Sequence, residues 1–115
     1  MAKGFGHKYT FVRVANNTTN GVAIGVEDRD IVVYKIIIGT PVASADIRLY
    51  DIVNPVNEAT TNQACHVTLP ATLPTTGARL VEEINFGEDG IVLGEGGNIM
   101  CDQDCQLTVV WDYLD

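Results

Sequence analysis

The chain is short of positive charge. Seven Lys and Arg face fifteen Asp and Glu, a net charge of −8 over 115 residues, and the basic residues are scattered rather than clustered. Each contact with a nucleic-acid phosphate needs a Lys or Arg to displace counterions, so this balance argues for no nucleic acid as partner. It opposes docking on anionic lipid for the same reason. Long hydrophobic runs are missing too. The densest, around Ile36-Ile37-Ile38, falls far below a membrane span, so no membrane association is expected. The opening Met1-Ala2-Lys3-Gly4-Phe5-Gly6-His7 has no signal-peptide core, and the expected setting is the cytosol of the producing cell.

Cysteine is scarce. Cys65, Cys101 and Cys105 cannot form a full set of disulfides, and in a cytosolic setting they are expected as thiols packed like small hydrophobes at strand ends. Helical periodicity is absent: no stretch of ten or more residues repeats apolar positions at a spacing of three and four. No internal repeat is present. Charged residues make up 19% of the chain, below the usual quarter, which leaves a polar surface rich in Thr, Asn and Gly suited to meeting other proteins.

What is there reads as strands. The length fits one domain with one core, with residues 1–8 a flexible N-terminal arm and 9–115 a single β-sandwich domain. The organising stretch is 86–113, where short apolar runs are cut by Gly and Asp/Asn and a final strand points Leu107, Val109, Trp111 and Tyr113 one way. Earlier, Tyr9, Phe11 and Arg13 alternate as a first strand, and Asn16-Asn17-Thr18-Thr19-Asn20-Gly21 reads as a turn or loop. The charged Glu27-Asp28-Arg29-Asp30 precedes Ile31-Val32-Val33-Tyr34-Lys35-Ile36-Ile37-Ile38, a run too apolar to leave one face in water and so a central strand. Residues 45–53 alternate again, with Ile47, Leu49 and Asp51 on one face and Arg48, Tyr50 and Ile52 on the other. The polar connection 54–62 is the longest and the expected crossing from one sheet to another. Residues 65–69 form a short strand, and Pro70, Pro74 and Gly77 fix an irregular link. The strand at 79–86 carries Glu82 on its apolar parity and is expected at an edge or as a bent strand. Eight or nine short strands at this spacing give an all-β, antiparallel β-sandwich, of jelly-roll or related Greek-key topology.

Candidate chemistry is thin. Cys101-Asp102-Gln103-Asp104-Cys105 clusters two thiols and two carboxylates, but tetrahedral zinc wants four well-spaced ligands and only the distant Cys65, His66 and His7 remain. A hairpin between strands 97–101 and 105–113 accounts for the spacing without metal, with Cys101 and Cys105 facing each other as a candidate disulfide that forms after cell lysis where the geometry permits. Glu88, Asp89 and Glu95, or Asp28 and Asp30, lack the spacing of a calcium loop and read as solvated turn carboxylates. The glycines of Gly94-Glu95-Gly96-Gly97 precede no helix, so they cradle no phosphate. His66 beside Cys65 cannot form a dyad, because neighbours on a strand point to opposite faces. No catalytic residue, cofactor or metal is assigned, and no enzyme is expected. Trp111 and Tyr113 read as core; Tyr50, expected to be exposed, is the better platform for stacking on a sugar.

The strands Tyr34-Lys35-Ile36-Ile37-Ile38-Gly39 and Ile47-Arg48-Leu49-Tyr50-Asp51, the later Phe86-Gly87-Glu88-Asp89-Gly90-Ile91-Val92-Leu93 and the closing Leu107-Thr108-Val109-Val110-Trp111-Asp112-Tyr113 carry a resemblance. The chain resembles small structural proteins of tailed bacteriophages, over about residues 31–113. The resemblance implies a non-catalytic virion component, foremost a capsid decoration (cement) protein on the capsid exterior, assembled in the host cytoplasm. The implied partners are the major capsid protein and the chain itself, as a homotrimer. The Cys101 to Cys105 turn departs from the family pattern. Lys3, Phe5 and His7 on the arm and Asn54, Pro55, Asn57 and Glu58 on the long loop are the expected capsid or subunit contacts. The alternatives are a phage receptor-binding or glycan-binding module and a head-tail or tail structural protein.

Overall fold

A computed structural model of the chain describes residues 8–12, 17–39, 43–55, 62–70, 82–103 and 105–114. The protein is all-β, with no helix among the described residues. Nine strands follow one another: β1 Lys8–Val12, β2 Asn17–Ile24, β3 Ile31–Ile38, β4 Asp46–Tyr50, β5 Gln63–Thr68, β6 Glu82–Asn85, β7 Ile91–Leu93, β8 Gly97–Cys101 and β9 Leu107–Tyr113. β1 begins at Lys8, which pairs with Trp111 and so belongs to the sheet rather than to the arm.

The pairing is nested and antiparallel throughout. β1 pairs with β9, β2 with β8, β3 with β6 and β7, and β4 with β5. The chain is therefore one long hairpin whose tip is the β4–β5 connection. Rolling that hairpin sets β9 beside β3 and β8 beside β4. Two sheets result, β1-β9-β3-β6 with β7 also on β3, and β2-β8-β4-β5. β6 covers Lys35 to Ile38 and β7 covers Ile31 to Val33 of the same partner strand, so the two halves share one strand position. The result is a β-sandwich of eight strand positions.

β3 shows how local sequence makes the core. Its pairing with β9 shifts between Val33 and Lys35, a bulge that changes side-chain parity. Ile31 and Val33 before it, and Ile36 and Ile38 after it, all face the inter-sheet core. From β9 come Leu107, Val109 and Trp111, with Tyr113 packed at the margin, and from the second sheet Ile47, Leu49, Ile99 and Cys101. Each fully buried branched side chain contributes about 1.5–3 kcal/mol of transfer free energy. Truncating Ile36, 1% exposed, to Ala would cost about 2–5 kcal/mol. The expected central strand is central, and β6 with Glu82 lies at an edge.

The excursion between β6 and β7 returns through Gly90, at φ +69°. A Cβ there would stand 2.6 Å from Val32 Cγ2 and 2.7 Å from the Val33 carbonyl oxygen, so the turn closes against β3 only with glycine. This close approach lies on the outer side of β3, where Val32 is buried.

Three expectations need correction. Residues 17–21 are not a loop but part of β2: Asn17 pairs with Cys101 and Val22 with Ile99, so the strand carries a wide irregularity that reads as turn composition. The 54–62 connection does not cross between sheets, since it joins β4 to its neighbour β5 in the same sheet. The link 102–106, expected as a hairpin turn, is a crossing, because β8 and β9 lie in different sheets.

Candidate functional site

One end of the sandwich gathers the β2–β3 connection, the start of the β4–β5 connection, the β7–β8 link and the end of β9. Backbone bonds tie these together: the Gly96 N–H donates to the Arg29 carbonyl at 3.0 Å and the Leu114 N–H to the Asp30 carbonyl at 3.1 Å. The Glu95 N–H donates to Asp51 Oδ1 at 3.2 Å. This end holds Glu27, Asp28, Asp30, Asp51 and Glu95. The Glu95 carboxyl is held above its ordinary range, first by a hydrogen bond with the Asp28 carboxyl and the charge of Asp28, then by Asp51 and Glu27. The rim is thus locally over-supplied with negative charge.

Beneath the rim lies an aromatic and cationic stack. The Arg29 guanidinium sits 3.8 Å from the centroid of the Tyr113 ring, and the Lys8 ammonium 5.7 Å from it. Tyr113 meets Trp111 edge to face, with centroids 5.0 Å apart. The register explains the meeting: Lys8 lies opposite Trp111, and Tyr113 opposite Ile31 at the start of β3.

Of the expected contact residues, Asn54 is at this end and exposed, whereas Pro55 is buried and offers little to a partner. Lys3, Phe5, His7, Asn57 and Glu58 lie outside the described residues, as do Pro74, Gly77 and Arg79. Tyr50, expected to be exposed, is instead 0% exposed and presents no stacking platform. Strand parity turns it away from Ile47 and Leu49, but its neighbours on that side, Asn98 opposite it and Met100 opposite Arg48, are also buried. The outer face of the second sheet is covered there.

Farther along the same outer face, a polar cluster joins β4 to the edge strand β5. The Thr68 hydroxyl donates to Asp46 Oδ1 at 2.6 Å. His66 Nε2 lies 3.3 Å from the same oxygen, and Arg48 Nη2 lies 3.8 Å from Asp46 Oδ2. The Asp46 carboxyl is held below its usual value, chiefly by the Thr68 hydroxyl and, against a desolvation cost, by His66 and Arg48. This is not a nucleophile relay. Both the hydroxyl and the imidazole spend their bonds on the carboxylate, so the imidazole is not placed to take the Thr68 proton. The cluster fastens an edge strand. Which of these side chains meet depends on the β4–β5 register, with Asp46 opposite Thr68 and Arg48 opposite His66.

The cysteines sit as thiols. Cys65 packs on the core while His66 faces outward, so the two are on opposite faces as the strand geometry requires. Cys101 and Cys105 are in the core, and burial, foremost, pushes the Cys101 thiol up to about 12. Among the described residues, no three His, Cys, Asp or Glu side chains converge as a metal-binding group. No described helix is long and apolar enough to cross a membrane.

Comparison with known proteins returns no matching family model, no matching curated protein and no matching solved structure.

Proposed function

We propose that this protein is a non-catalytic component of a bacteriophage virion, a decoration protein that cements a capsid shell by binding the major capsid protein from outside. The observation that carries the reading is the nested pairing rolled into two sheets, β1-β9-β3-β6 and β2-β8-β4-β5. We read this order as a jelly roll, an architecture used in viral capsid and lectin domains. A fold by itself does not choose a function, so the reading leans equally on the strand motifs that resemble small phage structural proteins. The burial of Tyr50 takes away the aromatic platform on which a glycan-binding reading would stand.

The physical task of a cement protein is to add buried area at junctions between shell subunits. A rigid sandwich with loops tied at one end suits it, and assembly as a homotrimer would multiply modest contacts through effective concentration. The acidic rim around Asp28, Asp51 and Glu95 disfavours contact with packaged DNA and fits an exterior position. The test has two parts. Light scattering after size exclusion should give three chain masses, and shells carrying the protein should retain DNA to a higher temperature than bare shells. Shells that lose DNA at the same temperature with and without the bound protein would reject cementing.

A further inference from the structure

We propose that Cys101 and Cys105 form a redox-controlled staple, oxidised by a low-molecular-weight disulfide to an intrachain bond that locks the crossing from β8 to β9. Cys101 is the last residue of β8 in one sheet, and Cys105 stands just before β9 in the other. Both side chains belong to the inter-sheet core, at 1% and 0% exposure. Between them, the Cys105 N–H donates to the Gln103 carbonyl at 2.9 Å. The Cys101 and Cys105 side chains are in hydrogen-bond contact. The link is also held down on β4, where the Asp46 N–H donates to Asp102 Oδ1 at 2.9 Å and the Asp102 N–H to the Asp46 carbonyl at 3.3 Å.

Register excludes a bond between Cys65 and Cys101. Cys65 pairs with Leu49 on one side of β4, and Cys101 pairs with Ile47 on the other side. Two strand spacings separate them by roughly 10 Å, beyond the Cα separation of about 7 Å that a disulfide tolerates. Register therefore leaves Cys105 as the thiol partner for Cys101.

Oxidised glutathione is the oxidant. One protein thiol loses its proton and attacks a glutathione sulfur, which releases one glutathione thiol and leaves a mixed disulfide. The second protein thiol loses its proton and attacks the first protein sulfur; the Cys101–Cys105 bond forms and a second glutathione thiol leaves. The protein loses two hydrogens and the oxidant gains them. Burial means that the link must open before a reagent reaches either sulfur, so the pair is slow to react while the fold is closed. In a reducing cytosol the staple stays open, and it closes in an oxidising medium. That change of medium rests on the virion reading; the pairing chemistry does not.

The test is incubation of the folded wild-type protein and of a Cys65→Ser variant with oxidised glutathione, followed by acid quench and non-reducing peptide mapping. The expected result is a mass lower by two hydrogens, a peptide linked at 101 and 105, no retained glutathione, and a Tm that rises on oxidation and falls back with dithiothreitol. Retained glutathione, a link through Cys65, or no mass change after prolonged incubation would overturn the staple. The wild-type map alone decides the matter if the variant does not fold. Neither result bears on shell binding, which is measured separately.

Discussion

Asn98 on β8 donates from Nδ2 to the carbonyl oxygen of Val53 at 2.9 Å, in a buried bond between residues 45 positions apart. Asn98 is itself 1% exposed and lies opposite Tyr50 in the sheet, so the bond anchors the start of the β4–β5 connection to the covered outer face. Replacing Asn98 with Leu leaves the Val53 carbonyl without this donor. The expected loss is about 1–3 kcal/mol, the cost of a buried polar group left unmade. Urea unfolding should show a lower midpoint at an unchanged slope.

The Asp46 cluster makes stability depend on acid. Its carboxyl is held below the ordinary value of 3.8, first by the Thr68 hydroxyl. A carboxyl depressed in the folded state contributes stability at pH above the unfolded value, and that contribution is lost as the pH falls through the folded value. Wild type should therefore lose stability on acidification below 3.8 more steeply than Asp46→Asn. Thr68→Val should bring the Asp46 titration, read by NMR, back up toward its ordinary position. A titration unmoved by Thr68→Val would contradict the assigned cause.

Gly96 is at φ +77°, and a Cβ on it would stand 2.7 Å from both the Val26 carbonyl oxygen and Val53 Cγ1. Gly96→Ala combines a strained backbone with a collision against main chain, which cannot move aside as a flexible side chain can. The expected destabilisation exceeds about 1 kcal/mol, read as a lowered urea midpoint.

Alkali acts on the thiols in the opposite sense to acid on Asp46. The Cys101 thiol is pushed from 9.0 up to about 12, so its contribution is full below the unfolded value and is lost as the pH rises toward the folded one, because the unfolded chain ionises first. Cys101→Val should flatten the fall in stability above 9.0. At neutral pH, iodoacetamide should label Cys101 and Cys105 only after unfolding, as mass spectrometry of the labelled peptides will read.

Much of the fold was legible where one strand sufficed to decide it. The alternation of Leu107, Val109 and Trp111 gave their shared inward face, and the parity of Cys65 and His66 gave their opposite faces. What one strand cannot decide was not legible. Residues 17–21 look like a turn because a wide irregularity in β2 tolerates turn residues. A link as short as 102–106 serves equally for a hairpin and for a crossing between sheets, so the partition of β8 and β9 waits on pairing. The burial of Tyr50 follows from what covers an outer face, and the meeting of Asp46, His66 and Thr68 follows from register. Pairing of β1 with β9 spans nearly the whole chain and leaves no local trace.

The most direct measurement is sedimentation of the protein with empty shells of the major capsid protein from the same genome, over a range of protein concentrations. Saturable pelleting at a fixed ratio to capsid subunits, weakened when residues 1–7 are deleted, is the expected result. Protein that stays in the supernatant at every concentration would contradict the account.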